Sequence, residues 1–273
     1  MVTTLYLIRH GETDGGQLNR YKGHIDVPLS ENGIRQMERL SKYIVQNHSK
    51  SFKMVQSSSN LNNVEPLNNI EPLNNIEQLK LNAVYRSDLS RALKSAEIIA
   101  KPHKLRPIVM PELRERNFGI WEGMTFNEIK EKYPQEFDAW VSNPLKFSPV
   151  QGESTIEVRD RVIGALGEIL KNHAIQSTGN EDKKLGRWEA EKSKHHNFLS
   201  SQLQSFNNIA IVSHGGVNRI VLCHLLEIPF ENIFRIEQDY GALNIVEFHD
   251  KYPVVKLINF ICHPELVSGS LRC

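Results

Sequence analysis

Two short, continuous apolar runs restrict the fold of this chain more than any other feature of its sequence. Leu5–Ile8 lies near the start of the chain, and Ile209–Val212 lies near its end. Runs of this length without polar alternation are typical of strands that are covered on both faces. Such strands belong to parallel sheets with helices on both sides, so the two runs predict an α/β protein.

Helical periodicity fills much of the chain between these runs. Ser30 is predicted to cap a helix with apolar residues at 34, 37, 40 and 44. Asp88 is predicted to open a second helix, and Ser154 with Glu157 forms a capping box before a third. A fourth helix is predicted at 217–226, directly after the second apolar run and a Gly-Gly pair. Strands that alternate with helices predict a mainly parallel sheet.

Polar segments interrupt this pattern. Residues 61–78 read LNNVEP, LNNIEP and LNNIEQ, and three such short, Asn-rich repeats bury too little to form a β-helix. A solvated insertion is the better interpretation. We therefore predict one domain over 1–260, with polar insertions at about 49–81 and 174–207, followed by a C-terminal tail at 261–273.

Composition limits the partners that this chain is expected to have. Its 273 residues carry a formal net charge of +1, so no overall basic field attracts nucleic acid or an anionic membrane. Its three cysteines have no metal-ligand spacing and form no even disulfide set. No signal-type or membrane-spanning apolar stretch is present in the sequence. These features predict a cytoplasmic protein with a small-molecule ligand and no nucleic-acid or membrane partner.

Both apolar runs end in a histidine that a glycine follows, at "LIRH" and "IVSH". Because ligands gather at the carboxyl ends of parallel strands, His10 and His214 are expected to lie over one site. A neutral imidazole is a nucleophile near pH 7, and Arg9 is suited to a phosphoryl group. Gly215 would let the backbone approach an anion closely. The alternative for each histidine alone is that it packs or caps a strand end.

Two histidines and a glutamate could also bind a metal ion. The sequence has no HxxxH or HExxH spacing to support such a site, and Arg9 would repel a cation. We therefore predict neither a metal nor a cofactor.

Five segments occur in an order that identifies a family. "LIRHGET", "RYKGHIDVPLSENG", "SDLSRALKSAEIIA", "LRERNFGIWEG" and "IVSHGG" together resemble the histidine phosphatase superfamily, the phosphoglycerate mutase-like proteins. The resemblance implies a phosphoglycerate mutase-like three-layer sandwich and covers essentially the whole predicted core. It implies that His10 is the phosphorylated nucleophile and that Glu115 donates and accepts the proton. The phosphate- and substrate-binding residues that it implies are Arg9, Arg91, His214, Gly215 and Gly23.

Within the superfamily, the sequence looks most like the α-ribazole phosphatases of cobalamin assembly, which remove the 5′-phosphate of α-ribazole phosphate. His24 and Trp121 are candidates to line a pocket for its aromatic base, although Trp121 could equally be core. Two positions depart from common family patterns: Gly16 replaces an Asn, and Phe118 replaces the Tyr of many mutases. The resemblance favours a phosphomonoesterase. A broad-specificity phosphatase, a phosphoglycerate mutase and a non-catalytic phosphate-binding module stay open.

Overall fold

A computed structural model describes residues 2–18, 20–56, 79–179, 206–249 and 252–263. Six strands form one sheet: β1 Val2–Arg9, β2 Ala83–Arg86, β3 Ile108–Val109, β4 Phe206–Ser213, β5 Leu243–His249 and β6 Tyr252–Phe260. The described α-helices are α1 Glu31–Gln56, α2 Ser90–Ala100, α3 Phe126–Lys132, α4 Pro134–Ser142, α5 Thr155–Gly179 and α6 Gly215–Leu225. Within the described parts of the chain, no helix is both long and apolar enough to cross a membrane.

The strands follow the order β3-β2-β4-β1-β5-β6. The pairs β3–β2, β2–β4 and β4–β1 are parallel, whereas β1–β5 and β5–β6 are antiparallel. The two apolar runs therefore lie side by side at the centre of the sheet. The mainly parallel α/β fold is confirmed, and the antiparallel edge is an addition that the sequence interpretation did not include.

Alternating side chains of the central strands face two separate cores. Leu5 and Leu7 pack with α5 and α6 on one side, and Tyr6 and Ile8 pack with α1 and α2 on the other. All four side chains are at most 2% exposed, which explains why their strand lacks polar alternation. The predicted three-layer sandwich is confirmed.

The first residues of the helices show whether the predicted N-terminal caps are present. The Ser30 hydroxyl accepts the Gly33 amide at 3.1 Å, which confirms the cap of α1. The Ser154–Glu157 capping box is also confirmed, because each side chain accepts the other residue's backbone N–H. The predicted helix at 217–226 is present as α6, which begins earlier, at Gly215.

The prediction that Asp88 opens a helix was wrong. Its carboxylate binds Arg114 instead, with 2.6 Å between Arg114 Nε and Asp88 Oδ1. The cap of α2 comes from a distant loop, where the Asp26 carboxylate accepts both the amide and the hydroxyl of Ser90 at 2.8 and 2.7 Å. The α2 helix therefore begins at Ser90, two residues after Asp88.

The boundaries of the predicted polar segments also change. Leu79 and Leu81 pack in the core beside α1 and α2, so they do not belong to the polar insertion predicted at 49–81. Phe206 pairs with Val2 in the sheet, although the second insertion was predicted to reach residue 207. Cys262 of the predicted tail is buried, and its carbonyl accepts Arg39 Nε. The LNN repeats lie outside the described residues.

Candidate active site

The two strand-end histidines lie together. β1 and β4 are parallel and in register, with Arg9 opposite Ser213, so the residues that follow both strands share one edge of the sheet. The rings of His10 and His214 have centroids 5.1 Å apart and meet edge to face. Both residues are buried, with exposed fractions of 5% and 0%. Parallel pairing alone therefore brings together residues that are 204 positions apart in the sequence.

The environment of His10 sets its tautomer. Its Nδ1 lies 2.7 Å from the carbonyl oxygen of Gly11. Because a carbonyl oxygen only accepts hydrogen bonds, Nδ1 carries the proton and Nε2 keeps its lone pair. Burial, followed by the charges of Arg9 and Arg91, holds the pKa of His10 well below its ordinary value. His10 is thus a neutral imidazole with a free ring nitrogen.

Arg9 is fixed by contacts on several sides. Its Nη1 donates to the carbonyl oxygen of Gln238, and its guanidinium lies 3.9 Å from the centre of the Tyr240 ring. Its Nε has no hydrogen-bond partner among the described residues. Burial is the main cause that lowers the pKa of this arginine. A partly buried cation with an unused, buried donor is ready to bind an anion.

Arg91 is held by the loop that precedes α1. Its two terminal nitrogens donate to the carbonyl oxygens of Ile25 and Gly23, at 2.8 and 2.6 Å. Gly23 has a φ of +50°, and a Cβ at this position would lie 2.2 Å from the Glu122 carboxylate. Gly23, which the resemblance implies as a binding residue, therefore contacts Arg91 through its carbonyl and also lines the cavity.

Backbone amides hold Glu115. Its carboxylate accepts the amide of Gly216 at 3.0 Å and the amide of Arg116 at 2.9 Å. Gly216 lies in the first turn of α6, where free amides and the helix dipole favour negative charge. A Cβ at Gly216 would approach the carboxylate to 2.3 Å, so this glycine leaves room for the acid.

His214 and Gly215 complete the polar end of the site. Nε2 of His214 lies 2.7 Å from the Ser87 hydroxyl, and its Nδ1 has no partner among the described residues. A Cβ at Gly215 would lie 3.3 Å from Nε of Arg9. The structure therefore brings together all seven of the implied site residues. Across the part of the chain that the structure describes, no three His, Cys, Asp or Glu side chains are grouped as a metal site requires.

One cavity joins this polar end to an aromatic end. The rings that line the aromatic end are those of Tyr21, Phe118, Trp121, Phe126, Phe137 and Trp140. Trp121 stacks on Phe147, with 5.2 Å between ring centroids, and its buried Nε1 has no partner among the described residues. His24, in contrast, is not among the described residues that line the cavity, and its Nε2 contacts the Glu115 carbonyl at 3.0 Å. Of the two predicted pocket residues, Trp121 lines the cavity but is also core, because it is 4% exposed and packs in a buried cluster with Ile129 and Phe137. His24 contacts the backbone of Glu115 instead.

Several site residues were missed by the sequence interpretation. Ser87 binds His214, Tyr240 lies over Arg9, and Lys22 lines the cavity with its ammonium on the Thr13 hydroxyl. Ser87 directly follows β2, so its place at a strand end was a signal that could have been used. Tyr240 had no such signal, because its contact depends on how the chain returns to β5.

Gly16, one of the two positions at which the sequence departs from the family pattern that it resembles, lies against Tyr240. A Cβ at Gly16 would be 3.0 Å from Glu12 Cγ and 3.4 Å from the Tyr240 ring. A side chain at this position would therefore crowd the ring that covers Arg9. Glycine at position 16 therefore leaves room for the Tyr240 ring.

Comparisons with known proteins identify a family and a fold. The family model described as Histidine phosphatase superfamily (branch 1) matches residues 5–62, 73–178 and 192–261. The chain is 25% identical to phosphoserine phosphatase 1 of Hydrogenobacter thermophilus, over 95% of this chain and 93% of that protein. It is 23% identical to the adenosylcobalamin/α-ribazole phosphatase of Escherichia coli K12, over 93% and 95% of the two chains. The crystal structure of the α-ribazole phosphatase from Shigella flexneri superposes with a TM-score of 0.66 at 21% identity, covering 94% of this chain and 96% of that one.

Proposed function

Because the chain belongs to the histidine phosphatase superfamily and is a phosphoric monoester hydrolase, we propose that it works through a phosphohistidine formed at His10. We propose further that its substrate is α-ribazole 5′-phosphate, in cobalamin biosynthesis. The observation that carries the proposal is the single cavity with a cationic, histidine-containing end and an aromatic end. A cytoplasmic location and the absence of a nucleic-acid partner, both predicted from composition, belong to this proposal.

In the first step, Nε2 of His10 attacks phosphorus and the bond to the ester oxygen breaks. Its orientation supports this role, because the bond from Nδ1 to the Gly11 carbonyl leaves Nε2 free. Arg9 and Arg91 bind the phosphoryl oxygens and stabilise the charge on them in the transition state. Glu115, in its protonated form, gives its proton to the leaving alkoxide.

In the second step, the same carboxylate acts as a base. Glu115 takes a proton from a water molecule, the water attacks phosphorus, and the bond to Nε2 of His10 breaks, which releases phosphate. The amides of Gly216 and Arg116 keep the carboxylate in place for both steps. No metal ion is needed in either step, so we expect hydrolysis to continue in EDTA. Activity that is lost in EDTA and restored by Mg²⁺ or Zn²⁺ would contradict this part of the proposal.

The aromatic end supports α-ribazole phosphate as the substrate. A phosphate held by Arg9 and Arg91 leaves the rest of its ester to occupy the ring-lined part of the cavity. Planar aromatic groups pack well against Trp and Phe side chains, and the unpaired Nε1 of Trp121 can donate to a polar atom of a base or ribose. The name of the E. coli relative agrees with this substrate.

Phosphoserine is a second candidate substrate. The relative from H. thermophilus is a phosphoserine phosphatase, and Lys22 places an ammonium group in the cavity beside Arg91. A carboxylate on a small substrate would be attracted to this cation. The two candidates thus depend on different parts of the cavity wall.

A panel of phosphate esters tests these alternatives. Phosphate release by the purified full chain is measured with α-ribazole 5′-phosphate, O-phosphoserine and 3-phosphoglycerate, and the His10→Ala variant controls for contaminating phosphatases. We expect the highest kcat/KM with α-ribazole 5′-phosphate. A higher value with phosphoserine would favour the second candidate, and transfer of the phosphoryl group between sugar-acid hydroxyls would indicate a mutase. Binding of these esters without turnover would indicate a non-catalytic module.

A further inference from the structure

The two ring nitrogens of His214 have different surroundings. Nε2 lies 2.7 Å from the Ser87 hydroxyl, whereas Nδ1 has no hydrogen-bond partner among the described residues. Both side chains are completely buried. His214 lines the cavity, and Ser87 is not among the described residues that do so. The hydroxyl therefore occupies one nitrogen and leaves the other for a ligand.

The charge state of His214 makes the choice of tautomer matter. Burial, followed by the charges of His10, Arg91 and Arg9, holds the pKa of His214 well below its ordinary value. A neutral imidazole has one N–H and one lone pair, so it can donate from one nitrogen and must accept at the other. If Nε2 carried the proton, Nδ1 would present a lone pair to the negatively charged phosphoryl group.

The Ser87 hydroxyl decides between the two tautomers. His214 Nε2 is the partner that the described structure gives to this hydroxyl, and no solvent reaches the Ser87 side chain. If Nε2 donated to Ser87, the hydroxyl hydrogen would be buried without an acceptor, which is costly. If the hydroxyl donates to Nε2, its hydrogen is satisfied and the imidazole proton lies on Nδ1.

We propose that Ser87 is a positioning residue that keeps the proton of His214 on Nδ1, so that Nδ1–H donates to a phosphoryl oxygen of the substrate. This inference rests on the proposed function, because it requires a phosphoryl group beside His10. The backbone supports the assignment: Ser87 directly follows β2, the parallel neighbour of the strand that ends at His214. The Arg86 guanidinium also donates to the Ser87 carbonyl at 2.9 Å. Ser87 and His214 are thus placed by neighbouring strand ends.

The tautomer can be measured directly in the unsubstituted full chain. Nitrogen NMR of the protein labelled with ¹⁵N-histidine distinguishes protonated from unprotonated ring nitrogens, and the His214→Gln variant assigns the signal. We expect a protonated Nδ1 and an unprotonated Nε2 at pH 7. A protonated Nε2, or protons on both nitrogens, would overturn the inference whether or not any variant folds.

Variants test the consequence for anion binding, with orthovanadate as the phosphate analogue. Loss of the hydroxyl in Ser87→Ala leaves either ring nitrogen of His214 free to carry the proton, and we expect vanadate affinity to fall by about three- to tenfold, the usual contribution of one neutral hydrogen bond. Ser87→Thr keeps the hydroxyl and should restore most of the affinity. Ser213→Ala is the matched control: it removes a buried hydroxyl directly before His214, which donates to the Leu113 carbonyl at 3.1 Å, and should leave vanadate affinity nearly unchanged.

These outcomes separate the inference from the proposed function. If the wild type hydrolyses no phosphate ester but carries its proton on Nδ1, the proposed function fails and the effect of Ser87 on the tautomer stands. If the wild type is an active phosphatase with the proton on Nε2, the inference fails and the function stands. Wild-type vanadate affinity in a folded Ser87→Ala variant would also overturn the inference.

Discussion

The two ends of the cavity are built in different ways. At the polar end, Arg9, His10 and His214 follow directly from the ends of the parallel strands β1 and β4. At the aromatic end, the rings come mostly from the segment between β3 and α5, which contains the short helices α3 and α4. The comparison indicates that the sheet places Arg9, His10 and His214 at strand ends, whereas Glu115 comes from the same β3–α5 segment as most of the rings. The rest of that segment can vary without disturbing the sheet.

The two ends also differ in the groups that they offer to a ligand. The polar end contains a buried arginine, Arg91, and a partly buried one, Arg9, and burial lowers the pKa of both. It also contains unpaired atoms of Arg9 and His214. The aromatic end is stabilised by ring contacts such as that between Phe126 and Phe137, at 4.9 Å. An anion would give partners to the unpaired atoms of Arg9 and His214, whereas the aromatic end offers ring surface and the unpaired Nε1 of Trp121. We therefore expect changes at the polar end to affect catalysis and changes at the aromatic end to affect substrate choice.

Among the changes that test this comparison, the largest effect is expected from Arg91→Lys. A lysine keeps the charge but cannot bind the Gly23 and Ile25 carbonyls and a phosphoryl group together. We expect kcat/KM to fall by about 10²- to 10³-fold for every substrate, because the phosphoryl group is common to all of them. Steady-state kinetics with two esters measures this, and Arg159→Lys, at a partly exposed position that does not line the cavity, serves as the control. If kcat/KM fell for one ester only, Arg91 would contribute to substrate choice. This result would contradict the assignment of catalysis to the polar end and of substrate choice to the aromatic end.

A somewhat smaller effect is expected from Gly216→Ala. The new methyl group would lie 2.3 Å from Glu115 Oε1, so the carboxylate must move away from the reacting oxygen. We expect kcat to fall by about 10- to 100-fold, because a displacement of this size removes the alignment of a catalytic group. Gly167→Ala is the control, since a Cβ there meets nothing within 4 Å. Wild-type kcat in Gly216→Ala would show that Glu115 does not need its present position.

The polar end should also make stability depend on pH. His10 and His214 have folded-state pKa values well below the ordinary value of 6.5, so the unfolded chain binds more protons in acid. The free energy of unfolding should therefore fall as the pH drops below 6.5, by at most about 1.4 kcal/mol per pH unit for each histidine. Chemical denaturation between pH 5 and pH 7 tests this. His10→Asn should reduce the slope, and Trp121→Leu, at the aromatic end, should leave it unchanged; equal slopes in all three proteins would contradict the account.

The smallest effect is expected from Trp121→Leu, and it should depend on the substrate. We expect kcat/KM for α-ribazole 5′-phosphate to fall by about three- to tenfold, the usual value of an aromatic contact. Phosphoserine, which has no ring, should be hydrolysed at nearly the wild-type rate and serves as the internal control. Equal losses with both substrates would indicate that Trp121 supports the fold and not substrate choice.

The sequence predicted the polar end better than the aromatic end for a physical reason. Continuous apolar runs identify buried parallel strands, and parallel strands bring residues such as His10 and His214 to one edge wherever they lie in the chain. Local caps such as Ser154 with Glu157 are predictable because both partners are three residues apart. The capping of α2 by Asp26 could not be predicted in this way, because Asp26 lies 64 residues before Ser90 in the sequence. Similarly, the position of Tyr240 over Arg9 follows from tertiary packing, which no local pattern encodes.

The central claim is that His10 accepts the phosphoryl group and that Glu115 is the acid and the base. Trapping the phosphoenzyme formed from p-nitrophenyl phosphate tests it most directly, because p-nitrophenolate leaves without a proton. Glu115→Gln should still be phosphorylated and then hydrolyse the intermediate about 10²- to 10⁴-fold more slowly than wild type, so that an acid-labile, base-stable adduct accumulates. His10→Ala should form no adduct. An adduct in His10→Ala would identify another nucleophile, and turnover by Glu115→Gln at the wild-type rate without accumulation would contradict the role of Glu115.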